Sequence, residues 1–125
     1  MPQTRLIYYA ELDGKVPMVE WLAKVPHGAY AKSQAYLRRL ESEGHELRRP
    51  IADYLRDGIH ELRPSILGVH YRILYFFYGS EAVVISHGLM KEGKVPGAEI
   101  ERAIERMARF LANPTKHSFV PPKGR

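Results

Sequence analysis

The chain has 125 residues, no cysteine, 45% hydrophobic residues and 26% charged ones. That suffices for one hydrophobic core, and it excludes disulfides, thiolate metal sites and cysteine nucleophiles. The net charge is +5, yet residues 1–105 carry fourteen basic and fourteen acidic side chains, so the whole excess lies in residues 106–125.

Thr4 to Leu12 (TRLIYYAEL) is rich in β-branched and aromatic residues and reads as a strand closed by Asp13-Gly14. Pro17 to Lys24 reads as a short helix that Pro26 stops, with Met18, Leu22 and Val25 on one face beside Trp21. Ala29 to Glu43 reads as a longer helix ended by Gly44. Its stripe is Tyr30, Ser33, Leu37 and Leu40. Arg48 to Asp57 reads as a connector with a short helical turn, from which Ile51 and Leu55 reach the core. Asp57-Gly58 marks a turn. Ile59 to Arg63, Gly68 to Tyr78 and Glu81 to Leu89 read as three strands whose short links favour an antiparallel meander. Gly97 to Ala112 reads as the last helix, with Ile100, Ala103, Ile104, Met107, Ala108 and Leu111 on its apolar face. Asn113-Pro114 ends it, so residues 1–114 form one domain and residues 115–125 a basic, flexible tail. The expected class is α+β, with two N-terminal helices and one C-terminal helix packed on an antiparallel sheet.

No apolar run approaches the roughly 20 residues that span a bilayer. Met1 to Ala10 lacks a signal-peptide layout, so a cytoplasmic location is expected. The six histidines show no close pairing, so no metal site is expected. No phosphate-cradling loop, dinucleotide fingerprint or nucleophile elbow occurs in the sequence. The basic end, with Arg106 and Arg109, suits a polyanion such as RNA, although a solvated tail has the same composition. Arg38 and Arg39 sit on the second helix, where they either touch RNA or form a solvated face. The Tyr75–Tyr78 run reads as a central strand with one buried face before it reads as a base-stacking surface.

Residues 57–103 contain DGIHELR, GVHYRILYFF and VVISHGLMKEGKVPGAEIERA. Together these resemble the RelE/ParE toxin superfamily, in particular its HigB-like, phage-derived branch. The shared pattern is a Gly-x-x-Glu-Leu-Arg strand, a Tyr-Arg-Ile strand, and an apolar strand ending in a His-Gly-Phe-x-Lys-Lys-like segment. Here Leu89 replaces the aromatic and Glu92 the second lysine, with Lys94 two residues later. The resemblance implies a RelE-like fold and the toxin of a type II toxin-antitoxin system. It implies metal-independent, cofactor-free cutting of messenger RNA on the ribosome by attack of a 2′-hydroxyl on the adjacent phosphate. The implied partners are a helix-turn-helix antitoxin, the ribosome and its message, with operator DNA reached only through the antitoxin. Two other readings share the fold: a DNA gyrase inhibitor without catalysis, and a degenerate toxin that mainly binds its antitoxin and, through it, DNA.

That chemistry needs cations for the phosphorane and groups that take and give protons. Arg63 matches the strand arginine of the pattern, and a guanidinium fork suits phosphate. Arg72 shares a strand face with His70, Leu74 and Phe76. In one hairpin register Arg63 lies opposite His70 and Arg72 opposite Glu61, which makes Arg72 half of an ion pair. A shift by one puts the two arginines on opposite faces. Lys91 and Lys94 are candidates for a phosphate clamp or a proton donor. His87, read on the face of Val83, Ile85 and Leu89, is a candidate acid or base, or else a packed histidine at a strand end.

Overall fold

The computed structural model describes residues 4–122, so Lys123 and Arg125 of the expected basic tail lie outside the described residues. The elements run β1 (Arg5–Tyr9), α1 (Pro17–Lys24), α2 (His27–Glu43), β2 (Ala52–Arg56), β3 (Ile59–Leu62) and β4 (Ser65–Ile66). They continue with β5 (Val69–Tyr78), β6 (Ala82–Met90), α3 (Gly97–Ala112) and β7 (Ser118–Phe119). Among the described residues, three α-helices flank one seven-stranded, largely antiparallel sheet ordered β2-β3-β5-β6-β1-β7, with β4 paired to β5. The α+β class holds. The sheet is not wholly antiparallel, because β1 runs parallel to β6 with Arg5 beside Ala82.

The sheet sits between two helical layers. On one side Met18 and Leu22 of α1 and Leu37 and Leu40 of α2 pack on Tyr8, Leu62, Ile73, Tyr75, Val83 and Ile85. On the other, Ile100, Ala103 and Phe110 of α3 pack on Ile7, Ile59, Leu74, Phe76 and Val84. Both faces of β5 are therefore covered, which is why residues 71–76 are buried without alternation. On α3 Ile100, Ala103, Ile104 and Met107 face the core as expected, but in the last turn the stripe passes to Phe110 and leaves Ala108 and Leu111 exposed.

Three elements differ from expectation. Residues 52–56 of the expected connector form an edge strand, and its turn is confined to residues 48–52, where the Ile51 and Ala52 N–H groups donate to the Arg48 carbonyl. Asp57 and Gly58, at φ 52° and 87°, supply the two left-handed positions of a tight hairpin back into β3. At the C-terminal end, Thr115–His117 forms a 3-10 turn and Ser118–Phe119 pairs with Tyr8 and Tyr9, where a loose tail was expected. Buried His117 anchors this segment: its Nδ1 lies 2.8 Å from the Ala10 carbonyl oxygen and its ring stacks on Tyr9. The third difference is a β-bulge in β6. Leu74 pairs with His87 but Tyr75 pairs with Ile85, so Ser86 is an extra residue. The bulge reverses the alternation. Val83 and Ile85 face α1 and α2, whereas His87 faces α3, not the side of Val83 and Ile85 as strict alternation predicts.

Beyond the bulge, Gly88 lies flat beneath the indole of Trp21, and a Cβ there would overlap the ring. Gly88→Ala is expected to lower stability by about 1–3 kcal/mol, the usual range for overpacking. Urea unfolding followed by the fluorescence of the single tryptophan measures this directly. An unchanged midpoint would mean that the ring is free to move aside.

Candidate functional site

The ladder places Glu61 opposite Leu74 and Leu62 opposite Ile73. Neither of the two registers considered from sequence applies, yet Arg63, Arg72 and Glu61 share the α3 side of the sheet. Glu61 and Arg72 are 3% and 4% exposed, so both charges are held out of water and need each other. Arg63 Nη1 donates to Glu61 Oε2 at 2.6 Å, and Arg72 Nε lies 3.1 Å from Glu61 Oε1. The second contact is an ion pair without hydrogen-bond geometry, since Oε1 has no hydrogen-bond partner. Arg72 Nη1 donates instead to the Tyr71 carbonyl at 3.0 Å. Burial pulls the Arg72 guanidinium below its ordinary range, Glu61 pushes it back, and Arg63 and Arg49 add to the effect of burial. It remains a cation at neutral pH, because a guanidinium starts far above it.

Arg63 and Arg72 open into a cleft of about 490 Å³ lined also by Arg49, Pro50, Ser65 and His70. Arg49 reaches it from the loop before β2, where Asp53 holds its Nη2 at 2.9 Å. Lys91 is exposed, and its backbone N–H donates to the His70 carbonyl at 3.0 Å, which roots it at the cleft's rim. Three guanidiniums around one hollow can bind a phosphate through several charge-assisted hydrogen bonds at once. The His70 imidazole in its lining can exchange protons with what is bound.

His87 is engaged elsewhere. Its Nε2 is 2.8 Å from Glu99 Oε1 on α3, and its Nδ1 is 2.7 Å from Ser86 Oγ and 3.1 Å from Arg106 Nη1. Arginine only donates, so Nδ1 accepts and the neutral ring carries its proton on Nε2, toward Glu99. Burial lowers the His87 pKa, the Glu99 hydrogen bond opposes that, and Arg106 reinforces it. Arg106 is likewise internal. Its Nη2 lies 3.4 Å from Glu11 Oε2, and its guanidinium sits 5.6 Å above the Tyr9 ring.

The other residues singled out from sequence are dispersed. Arg39 pairs with Glu43 at 2.5 Å, and Arg38 is exposed beside it on α2, across the sheet from the arginine cleft. Arg109 is exposed at the far end of α3, 4.0 Å from Glu105. Lys94 is exposed in the loop before α3. Sequence reasoning missed Arg49, which lies in an aperiodic stretch where spacing carries no signal. It also gave His70 little weight beside His87. Among the described residues, no group of three or more His, Asp or Glu is disposed to hold a metal ion. No helix among them is long and apolar enough to cross a membrane.

A family model described as phage derived protein Gp49-like (DUF891) matches residues 20–108. No curated protein matches the chain.

The His87 arrangement fixes a pH dependence. Its folded pKa is depressed, so below the ordinary value near 6.5 the unfolded chain takes up a proton that the folded one refuses. Stability is full above that value and falls as the pH drops below it, by up to about 1.4 kcal/mol per pH unit for this group. Half-buried His60, also depressed by burial, contributes with the same sign. Urea midpoints at about pH 7.5 and about pH 5.5 should drop less for His87→Gln than for the wild type, because the amide keeps a donor and an acceptor but does not titrate.

Proposed function

The chain belongs to the Gp49-like family of phage-derived proteins, a toxin-antitoxin toxin family of RelE-like type, and we propose that it cuts messenger RNA on the ribosome through the Arg63–Arg72 cleft. The observation that carries this reading is the convergence of Arg49, Arg63 and Arg72 with His70 around one hollow. Arg63 and Arg72 bind the scissile phosphate, and Glu61 holds both guanidiniums in place before it arrives. The 2′-oxygen attacks phosphorus, the bond from phosphorus to the 5′-oxygen breaks, and a 2′,3′-cyclic phosphate and a 5′-hydroxyl result. One proton leaves the 2′-hydroxyl and one reaches the departing 5′-oxygen. His70, which lines the cleft, and Lys91, whose backbone is bonded to His70, are assigned these transfers in this reading, whereas both ring nitrogens of His87 are occupied. His87 and Arg106 act as positioning residues, fixing α3 against the bulged strand.

The guanidiniums stabilise the charge of the crowded phosphorane, where preorganised cations contribute most. Exposed Arg38, Arg39, Arg109 and Lys94 lie away from the cleft and suit contacts to ribosomal RNA, which orients the message. The family implies an antitoxin partner. In this reading the chain is a HigB-like toxin that works in the cytoplasm, and its antitoxin is a helix-turn-helix protein that covers the cleft or keeps the toxin off the ribosome and alone touches operator DNA. One observation favours a second reading, a toxin that binds its antitoxin but cuts weakly. Glu92, standing where the pattern has a lysine, places its negative charge close enough to act on Arg72.

Mapping of RNA ends after brief induction in cells, comparing the wild type with an Arg63→Ala, Lys91→Ala double variant, tests the reading. Cuts within translated codons are expected for the wild type, at least about a hundredfold fewer for the variant, given the usual effect of losing transition-state donors, and none when translation is blocked. Growth arrest with intact messages would replace the reading with gyrase inhibition. Normal growth without antitoxin would favour the weak cutter.

A further inference from the structure

On the other side of the sheet edge from the arginine cleft lies a second hollow, of about 340 Å³, lined by rings. His45, from the 3-10 turn after α2, stacks flat on Phe77, with centroids 3.6 Å apart at 18°. His60 stacks on Tyr75 at 5.2 Å and 18°, and Tyr54 meets His60 edge-on at 5.0 Å. Arg48 and Arg49 stand at the rim. The core does not account for this set. Tyr75 is buried, but His45 is exposed and Tyr54 is 55% exposed, so aromatic area is held out to water in a concave arrangement. Arg49 lines both hollows, and its charge is felt by Arg72, so the two are neighbours around one edge of the sheet.

We infer that the hollow formed by His45, Tyr54, His60 and Phe77 is a stacking subsite for an unpaired RNA base flanking the phosphate held by Arg63 and Arg72. Flat rings beside a cationic track are the combination that holds single-stranded nucleic acid, the rings taking bases and the arginines the backbone. Arg49 sits where the strand turns from one hollow into the other. The two imidazoles add donors and acceptors at the edge of the stacked base, so the subsite discriminates among bases as well as holding one. This inference rests on the nuclease reading proposed above. It deepens that reading by giving the site a determinant of sequence preference.

The test compares cut sites in cells making the full-length wild type, His45→Ala or His45→Trp. The His45 side chain makes no hydrogen bond among the described residues and is exposed, outside the buried core. The wild type should show a base preference at a position flanking the cut. His45→Ala should lose that preference and cut the favoured sites roughly tenfold less, the scale of one lost stacking contact. His45→Trp should keep cutting them. An unaltered preference and yield in His45→Ala would overturn the subsite and leave the nuclease reading standing, as would a wild type that cuts with no flanking preference. Unchanged cutting together with escape of His45→Ala from antitoxin silencing would assign the hollow to the protein partner. A wild type that cuts no message would sink both readings together.

Discussion

The long ladder between Val69–Tyr78 and Ala82–Met90, interrupted once at Ser86, is the constraint on which the rest of the molecule depends. It forms the middle of the sheet, so every other strand takes its place from it. Its apolar residues feed both cores. The extra residue swaps the faces of β6 halfway along. Before it, Val84 meets α3 while Val83 and Ile85 meet α1 and α2. After it, His87 faces α3 and Gly88 meets Trp21. Without the bulge, Ser86 would take the place of His87, and the imidazole would enter the apolar layer with no partner for either nitrogen. The bulge thus converts a buried histidine from a liability into a junction between strand and helix.

Glu61 performs a comparable task for the arginines. Two buried or half-buried guanidiniums repel each other, and a carboxylate shared between them lets both sit on one strand face in the absence of ligand. Because Glu61 Oε1 contacts Arg72 without a good hydrogen bond, Arg72 is held but not saturated. A cleft prepared in this way is cationic in the absence of ligand, so an anion entering it would meet charges already in place.

Much of this was legible in the sequence, and the failures have physical causes. The α1 and α3 boundaries, and the strands β3, β5 and β6 to within a residue or two, follow from apolar spacing and from proline and glycine punctuation. β2 was missed because a short edge strand that sends Ala52 and Leu55 toward opposite cores carries no clean alternation. β7 was missed because two residues between prolines give no periodic signal, and they are held by long-range contacts, the pairing with Tyr8 and Tyr9 and the fit of His117 against Ala10 and Tyr9. The side of the sheet faced by His87 was misread because strict alternation is the default and one inserted residue leaves no mark in composition. Arg63 and Arg72, both singled out from sequence, line one cleft beside the backbone of Lys91, but Arg49 joins that cleft from a loop. No sequence rule places a loop residue against a residue more than twenty positions away.

The topology bears on how the molecule comes into being. β1 is made first, yet its neighbours are β6, beginning at Ala82, and β7, at Ser118–Phe119. During synthesis its apolar residues wait, unpaired, for most of the chain to emerge. Contacts of such long separation close late and slowly. A fragment released before residue 82 has nothing to pair with its first strand and lacks the middle of its sheet. Such a fragment is an unfolded chain for proteases to clear, and whatever harm the finished protein does is withheld until translation of its own message is nearly complete.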